Sequence, residues 1–234
     1  YEVKGCLEKA EEYLYSSYCL NREQQDRPRL ATNYSNLGFV AHMQGHFEDA
    51  EKLYGYALKL HEELGDRARW AEDRGTLGNL YFMQKQLDQA EICFQEALET
   101  YTGLNDLTGI ANQYNNLGKL YRAQGKLEQA RVILEKALAI DEHLQRPDGL
   151  ALQYSALGMV YFDQDDFGQA EVMYQQALIL QEQLGNKRNQ AHALGRLGMV
   201  YQRQGKSELA ERALRRSLSL YEEIKDIAGM AWQV

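Results

Sequence analysis

The sequence predicts an all-α fold, an array of stacked helical hairpins, and three observations carry that prediction. A Leu-Gly pair returns every 40 residues, at Leu37-Gly38, Leu77-Gly78, Leu117-Gly118, Leu157-Gly158 and Leu197-Gly198, with no slip. Repeats at such a spacing decide an architecture before any local argument does. Only two prolines, Pro28 and Pro147, occur in 234 residues dominated by Ala, Leu, Glu, Gln, Lys and Arg, a composition that loses little rotamer freedom in helices. Apolar residues also step by threes and fours twice within each period, so each period holds two helices, each with one buried stripe.

A strict period describes a quasi-one-dimensional array in which each unit packs only on its neighbours. Rows of 40 run 30–69, 70–109, 110–149, 150–189 and 190–229, with residues 1–29 as the second helix of a truncated row and 230–234 as the start of a further one. Tyr1 falls in the column of Tyr81, Tyr121, Tyr161 and Tyr201, and Ala231 in that of Ala31, Ala71, Ala111, Ala151 and Ala191. The chain is therefore expected to be an excerpt of a longer array. In the third row the first helix presents Ala111, Tyr114, Leu117, Gly118 and Tyr121. The second presents Leu127, Ala130, Ile133, Leu134, Ala137, Leu138 and Leu144.

Punctuation separates the helices. Gly5, Gly45, Gly125 and Gly205 are placed to end first helices, and Gly65, Asn105 and Gly185 to end second ones, each suited to a left-handed residue. The following column, Asp26, Asp66, Asp106, Arg146, Asn186 and Asp226, supplies acceptors for the free N–H groups of the next helix, with Pro147 and Asp148 standing in at Arg146. Stacking is written in two further columns. Ala recurs at Ala10, Ala50, Ala90, Ala130, Ala170 and Ala210, and each Gly of the Leu-Gly pair accepts a helix cost of about 1 kcal/mol to let a neighbour approach. Large residues stand opposite at Leu14, Tyr54, Phe94, Leu134, Tyr174 and Leu214.

The net charge of −8 argues against nucleic acid or anionic membrane as partners, since both require clustered Lys and Arg. No run of 18 or more apolar residues exists, so nothing spans a bilayer as a helix. Cys6 and Cys19 lie thirteen steps apart on one helix, roughly 20 Å, against the 4.4–6.8 Å or so of a disulfide. A reducing, cytoplasmic setting follows.

Tyr114, Leu117, Gly118, Tyr121, Ala130, Leu134 and Ala137 match the signature of the tetratricopeptide repeat, which the whole chain resembles. The usual period is 34. Six residues are added after Ala137, lengthening the second helix by about one and two-thirds turns. This longer variant is similar to the repeats of kinesin light chains, Pins-type adaptors and bacterial regulators, the last two sharing row ends such as Glu62 to Arg67 and Glu182 to Lys187. The resemblance implies a right-handed superhelical solenoid whose first helices line a concave groove. The clamp by which related co-chaperones hold a carboxylate is missing, because its first Lys position reads Ser35, Gly75, Asn115, Ser155 or Gly195.

The groove columns vary from row to row while the packing columns repeat. The candidate peptide-binding residues are Asn36, Phe39, Met43, Asn79, Phe82, Met83, Asn112, Asn115, Asn116, Lys119, Arg122, Met159, Phe162, Arg196, Met199 and Arg203. Phe and Met suit an apolar peptide face. Lys119 and Arg122 are placed to take carboxylates. The expected function is a scaffold binding a peptide or protein segment with acidic and apolar residues. The alternative is a regulatory, sensor or self-association module, by end-to-end contacts among others, controlling an attached effector domain. No catalytic residue, cofactor or metal is expected: Gly45 breaks the face shared by His42 and His46, and Asp163, Asp165 and Asp166 lack the Gly and Glu of a calcium loop. The sequon at Asn33 falls inside a packed helix, and Cys93 shares a core column.

Overall fold

The computed structural model describes residues 2–226, with side chains from residue 7 onward. Eleven helices and no strand occur among the described residues. They are α1 (Glu2–Glu23), α2 (Arg27–Gln44), α3 (Phe47–Leu64), α4 (Arg67–Met83), α5 (Leu87–Gly103), α6 (Leu107–Ala123), α7 (Leu127–His143), α8 (Pro147–Asp163), α9 (Phe167–Gln183), α10 (Lys187–Arg203) and α11 (Ser207–Glu223). No described helix is long and apolar enough to cross a membrane. The chain divides into two compact units, one up to Asn116 and one from Leu117. The positions of Tyr1 and Ala231 lie outside the described residues, as does the segment 230–234.

One backbone device ends every helix from α1 to α11. A left-handed residue stands at Gln25, Gly45, Gly65, Lys85, Asn105, Gly125, Gln145, Asp165, Gly185, Gly205 and Lys225, with φ between 53° and 81°. The following N–H reaches back to the carbonyl five residues earlier, as in His46 to Ala41 at 2.9 Å and Asp106 to Tyr101 at 3.0 Å, which satisfies the orphan carbonyls of each helix end. The left-handed turns at Gly45, Gly65 and Asn105 agree with the sequence reading. Those at Gln25, Lys85, Gln145, Asp165 and Lys225 carry no residue that announces them. Gly5 departs from its expected role, since α1 runs through it. Glycine accepts right-handed as readily as left-handed backbone, and neighbouring residues decide which it adopts.

Helix starts follow the cap column. Asp26 accepts from the Arg29 N–H at 3.2 Å, Asp66 from Arg69 at 3.2 Å, Asp106 from Gly109 at 3.0 Å and Asn186 from Asn189 at 3.1 Å, and outside that column Asp166 caps α9 through the Gln169 N–H at 3.0 Å. Arg146 makes no such bond. Pro147 opens α8 instead, and the Arg146 guanidinium turns to Asp141 at 3.2 Å.

Close approach of the two helices in a hairpin depends on the repeated glycine. A Cβ built on Gly38 would meet the Tyr54 ring at 3.0 Å, on Gly78 the Phe94 ring at 2.6 Å, and on Gly118 the Leu134 side chain at 2.5 Å. Gly158 faces Tyr174 at 2.8 Å and Gly198 faces Leu214 at 2.6 Å. Around these contacts the first unit builds a core from Ala41, Ala50, Tyr54, Leu77, Leu80 and Cys93. The second builds its own from Ala130, Leu134, Leu157 and Val160, then from Ala170, Tyr174, Leu197 and Val200. Cys93 is buried, and burial pushes its thiol up to about 11, so it stays protonated and unreactive.

Successive hairpins are also joined by buried polar pairs, from the end of a second helix to the next first helix. Asn21 Nδ2 donates to Asn33 Oδ1 at 2.7 Å, and His61 Nδ1 meets Asp73 Oδ2 at 2.8 Å, both in the first unit. In the second unit Gln153 Nε2 donates to Asp141 Oδ2 at 3.0 Å.

Two glycine substitutions with opposite signs check this account. Gly78→Ala overpacks the Phe94 contact and is expected to lower unfolding free energy by about 1–3 kcal/mol, outweighing the roughly 1 kcal/mol of helix propensity it gains. Gly55→Ala, with nothing within 4 Å of its Cβ, is expected to stabilise by up to about 1 kcal/mol. Urea unfolding of both variants measures the difference.

Candidate functional site

Each unit carries an open cavity of about 410 Å³ along its first helices. In the first unit it lies between α2 and α4, with Thr32, Ser35, Asn36, Phe39 and His42 on one wall and Arg69, Glu72, Asp73, Thr76 and Asn79 on the other. Tyr54 and His61 of α3 complete its lining. In the second unit the cavity is lined by Lys119, by Asp148, Leu152, Ser155 and Met159 of α8, and by Gln181, Leu184, Asn186, Asn189 and His192. Ser155, Met159, Gln181, Asn189 and His192 follow Ser35, Phe39, His61, Arg69 and Glu72 by three 40-residue periods. The same place in the repeat is therefore open in both units, with different chemistry.

The candidate residues divide by environment. Phe39, Met43 and Met83 are 52%, 53% and 59% exposed, far more than a packing role requires. Asn36, Asn79 and Asn112 are exposed, while Asn116, Phe82, Met159, Phe162, Arg196 and Met199 are half-buried. Asn115 is corrected by the structure: it is 1% exposed. The column does not share that environment in every row: Gly75 lies under the Gln113 amide, while Ser35 and Ser155 are half-buried and line the two cavities.

Two of the cations are also committed elsewhere. Arg122 Nε is held by Asp163 at 2.6 Å, so its charge is neutralised within α6 and α8. Arg203 pairs with Asp165 at 3.0 Å and stacks over the rings of Phe162 and Phe167, at 5.4 and 5.0 Å. With Asp166 capping α9, all three aspartates of that stretch have structural partners. Lys119 differs. No carboxylate pairs with it among the described residues, and burial alone lowers its ammonium pKa. A partly buried ammonium without a counter-ion favours an incoming anion.

The first-unit cavity holds His61 and Asp73, which the column reading passed over, beside Tyr54, which it read as a packing residue. His61 and Asp73 are 2% and 5% exposed, and Tyr54 1%. Burial raises the Asp73 carboxyl, against the opposing hydrogen bond from Ser35 and the His61 contact. Tyr54 is raised by burial and by the Asp73 charge, and His42 is lowered by burial. The signal was available: columns 61 and 73 place His and Asp on otherwise packed faces, and a polar residue there demands a partner.

A family model described as MalT-like TPR region matches residues 39–228. The chain belongs to the MalT-like TPR family. No curated protein matches the sequence. Among solved structures, this MalT-like TPR chain is similar to BtubC (BKLC) from P. vanneervenii, with 24% identity, TM-score 0.81 and coverage of 94% of this chain and 92% of that one. It is similar to the STAND protein with a tetratricopeptide repeat sensor, PH0952, from Pyrococcus horikoshii, at 20% identity and TM-score 0.77, covering 93% of this chain and 33% of that one. The Rap conjugation gene regulator of the plasmid pLS20, solved with the Phr* peptide, matches at 15% identity and TM-score 0.77, covering 91% and 59%. At these identities the likeness is one of fold.

His42 and, in the second unit, His192 both have pKa values lowered chiefly by burial. The unfolded chain then binds more protons than the native one below the ordinary imidazole value of about 6.5. Stability of the MalT-like TPR chain is expected to be full above that pH and to fall on acidification through it. In denaturant titrations from pH 8 to 5, the double variant His42→Gln, His192→Gln is expected to show a flatter profile than the parent.

Proposed function

We propose that the chain is a cytoplasmic interaction scaffold whose first-helix faces hold a peptide or protein segment carrying an acidic residue flanked by apolar ones. The observation that carries this reading is Lys119, a partly buried cation without a carboxylate partner in an open cavity that also presents Ser155, Asn186 and Asn189. A carboxylate there gains charge-assisted hydrogen bonds. Exposed Phe39, Met43 and Met83 supply the apolar contacts in the first unit, with methionine adapting to irregular side chains. The Phr* complex of the Rap regulator supports a peptide as ligand for this fold.

A second reading, a sensor that regulates an attached effector domain, is supported by the STAND protein, since the chain spans 33% of its length. In both readings the array binds a segment. They differ in whether that segment is foreign or belongs to the same polypeptide.

Panning a random peptide library against the chain tests the proposal. Enriched peptides are expected to carry Asp or Glu beside apolar residues. Lys119→Glu is expected to weaken them by about tenfold or more, the size of a hydrogen bond to a charged group. Arg122→Gln, removing a cation already held by Asp163, is expected to have a smaller effect. Failure to enrich any peptide, or affinities unchanged in both Lys119→Glu and Met83→Ala, would sink the reading. Concentration-dependent mass in sedimentation would favour self-association instead.

A further inference from the structure

The first-unit cavity contains more hydrogen-bond acceptors than the protein itself uses. Three nearly buried side chains that line it, His42, Tyr54 and His61, each carry a polar atom with no hydrogen-bond partner: His42 Nδ1, the Tyr54 hydroxyl and His61 Nε2. Their other groups are committed. His42 Nε2 lies 2.9 Å from Met83 Sδ, and His61 Nδ1 lies 2.8 Å from Asp73 Oδ2. A neutral imidazole that donates through one nitrogen presents the other as a lone-pair acceptor. Asp73 adds a buried carboxylate, and Glu72 an exposed one at the rim. The cavity's one guanidinium, Arg69, is turned toward Asp66 at 3.7 Å.

We propose that this cavity is a subsite for a basic side chain, arginine or lysine, of the segment held by the array. The proposal rests on the peptide-binding reading above and adds the opposite charge preference in the other unit. A guanidinium brings five N–H donors, and an ammonium three, with no acceptor of its own. Either satisfies the buried acceptors and faces the carboxylates of Asp73 and Glu72 through charge-assisted bonds. The equivalent positions in the second unit read Phe162, Gln181, His192 and Ala193 in place of His42, His61, Glu72 and Asp73. The two histidines and the carboxylates of Glu72 and Asp73 are therefore confined to the first of these cavities, while the second holds one unpartnered acceptor, Gln181 Oε1, and the exposed carboxylate of Asp148 together with Lys119.

Titrating the chain with N-acetyl-arginine amide and N-acetyl-lysine amide, followed by ¹H–¹⁵N and histidine-ring NMR, tests the subsite without a peptide. Saturable shifts are expected at Glu72, Thr76 and Asn79 and in the rings of His42 and His61, with none from N-acetyl-glutamine amide. Asp73→Asn is expected to weaken binding about tenfold. Glu72→Gln, on the exposed rim where folding is not at stake, is expected to weaken it by a smaller factor. Absence of saturable shifts from both basic probes, equal shifts from the glutamine probe, or affinity unchanged in Glu72→Gln and Asp73→Asn alike would overturn the subsite. A library that enriches peptides without a basic residue, alongside silent probes, would overturn the subsite and leave the peptide-binding reading standing. Probe binding with a library that enriches nothing would do the reverse.

Discussion

Everything in this chain depends on one contact, the approach of a glycine on each first helix to a large side chain sixteen residues later on the second. At Gly78 and Gly118 a Cβ would stand 2.6 and 2.5 Å from Phe94 and Leu134, closer than packed carbon atoms approach. Each of these glycines leaves a space that a Cβ would fill, whether the facing residue is Leu, Tyr or Phe. In the complete hairpins the alanine column, Ala50, Ala90, Ala130, Ala170 and Ala210, is buried in every row. The left-handed residue every 20 positions recurs with the hairpins. Helices of near-equal length joined by equal turns leave only one backbone solution for each corner.

Between hairpins the constraint is looser, and there the chain is chemically varied. Asn21 with Asn33, His61 with Asp73, and Asp141 with Gln153 occupy the same place in three of the junctions and satisfy it by different chemistry. A buried polar atom left alone costs more than the bond it forgoes, so each such pair disfavours a shifted stacking register. In the first unit the same requirement produces an opening with functional potential, because His61, Tyr54 and His42 retain atoms that the array does not satisfy.

The two cavities illustrate how a repeat separates architecture from recognition. Positions three periods apart form each one, so the backbone offers the same open space in both units. Side chains then set the charge: Lys119 without a counter-ion in one, His61 and the carboxylates of Asp73 and Glu72 in the other. Only the environment tells a binding cation from a structural one. Arg122 and Lys119 lie three residues apart on α6, yet Arg122 is neutralised by Asp163 while Lys119 is not.

The sequence by itself determined the hairpins, their period, the glycine-to-large-residue packing and most caps, because each is a local pattern repeated often enough to be read by columns. It also marked Phe39, Met43 and Met83 as departures from packing, which their exposure supports. Tertiary structure decided the rest. Asn115 is buried although Ser35 and Ser155 of its column line open cavities, and Arg122 and Arg203 are held by aspartates about one period away. The left-handed turns at Lys85 and Gln145 follow from corner geometry and not from residue type. The acceptor-rich cavity was hidden because its floor comes from α3 and its walls from α2 and α4, residues whose shared environment no single helix's periodicity encodes.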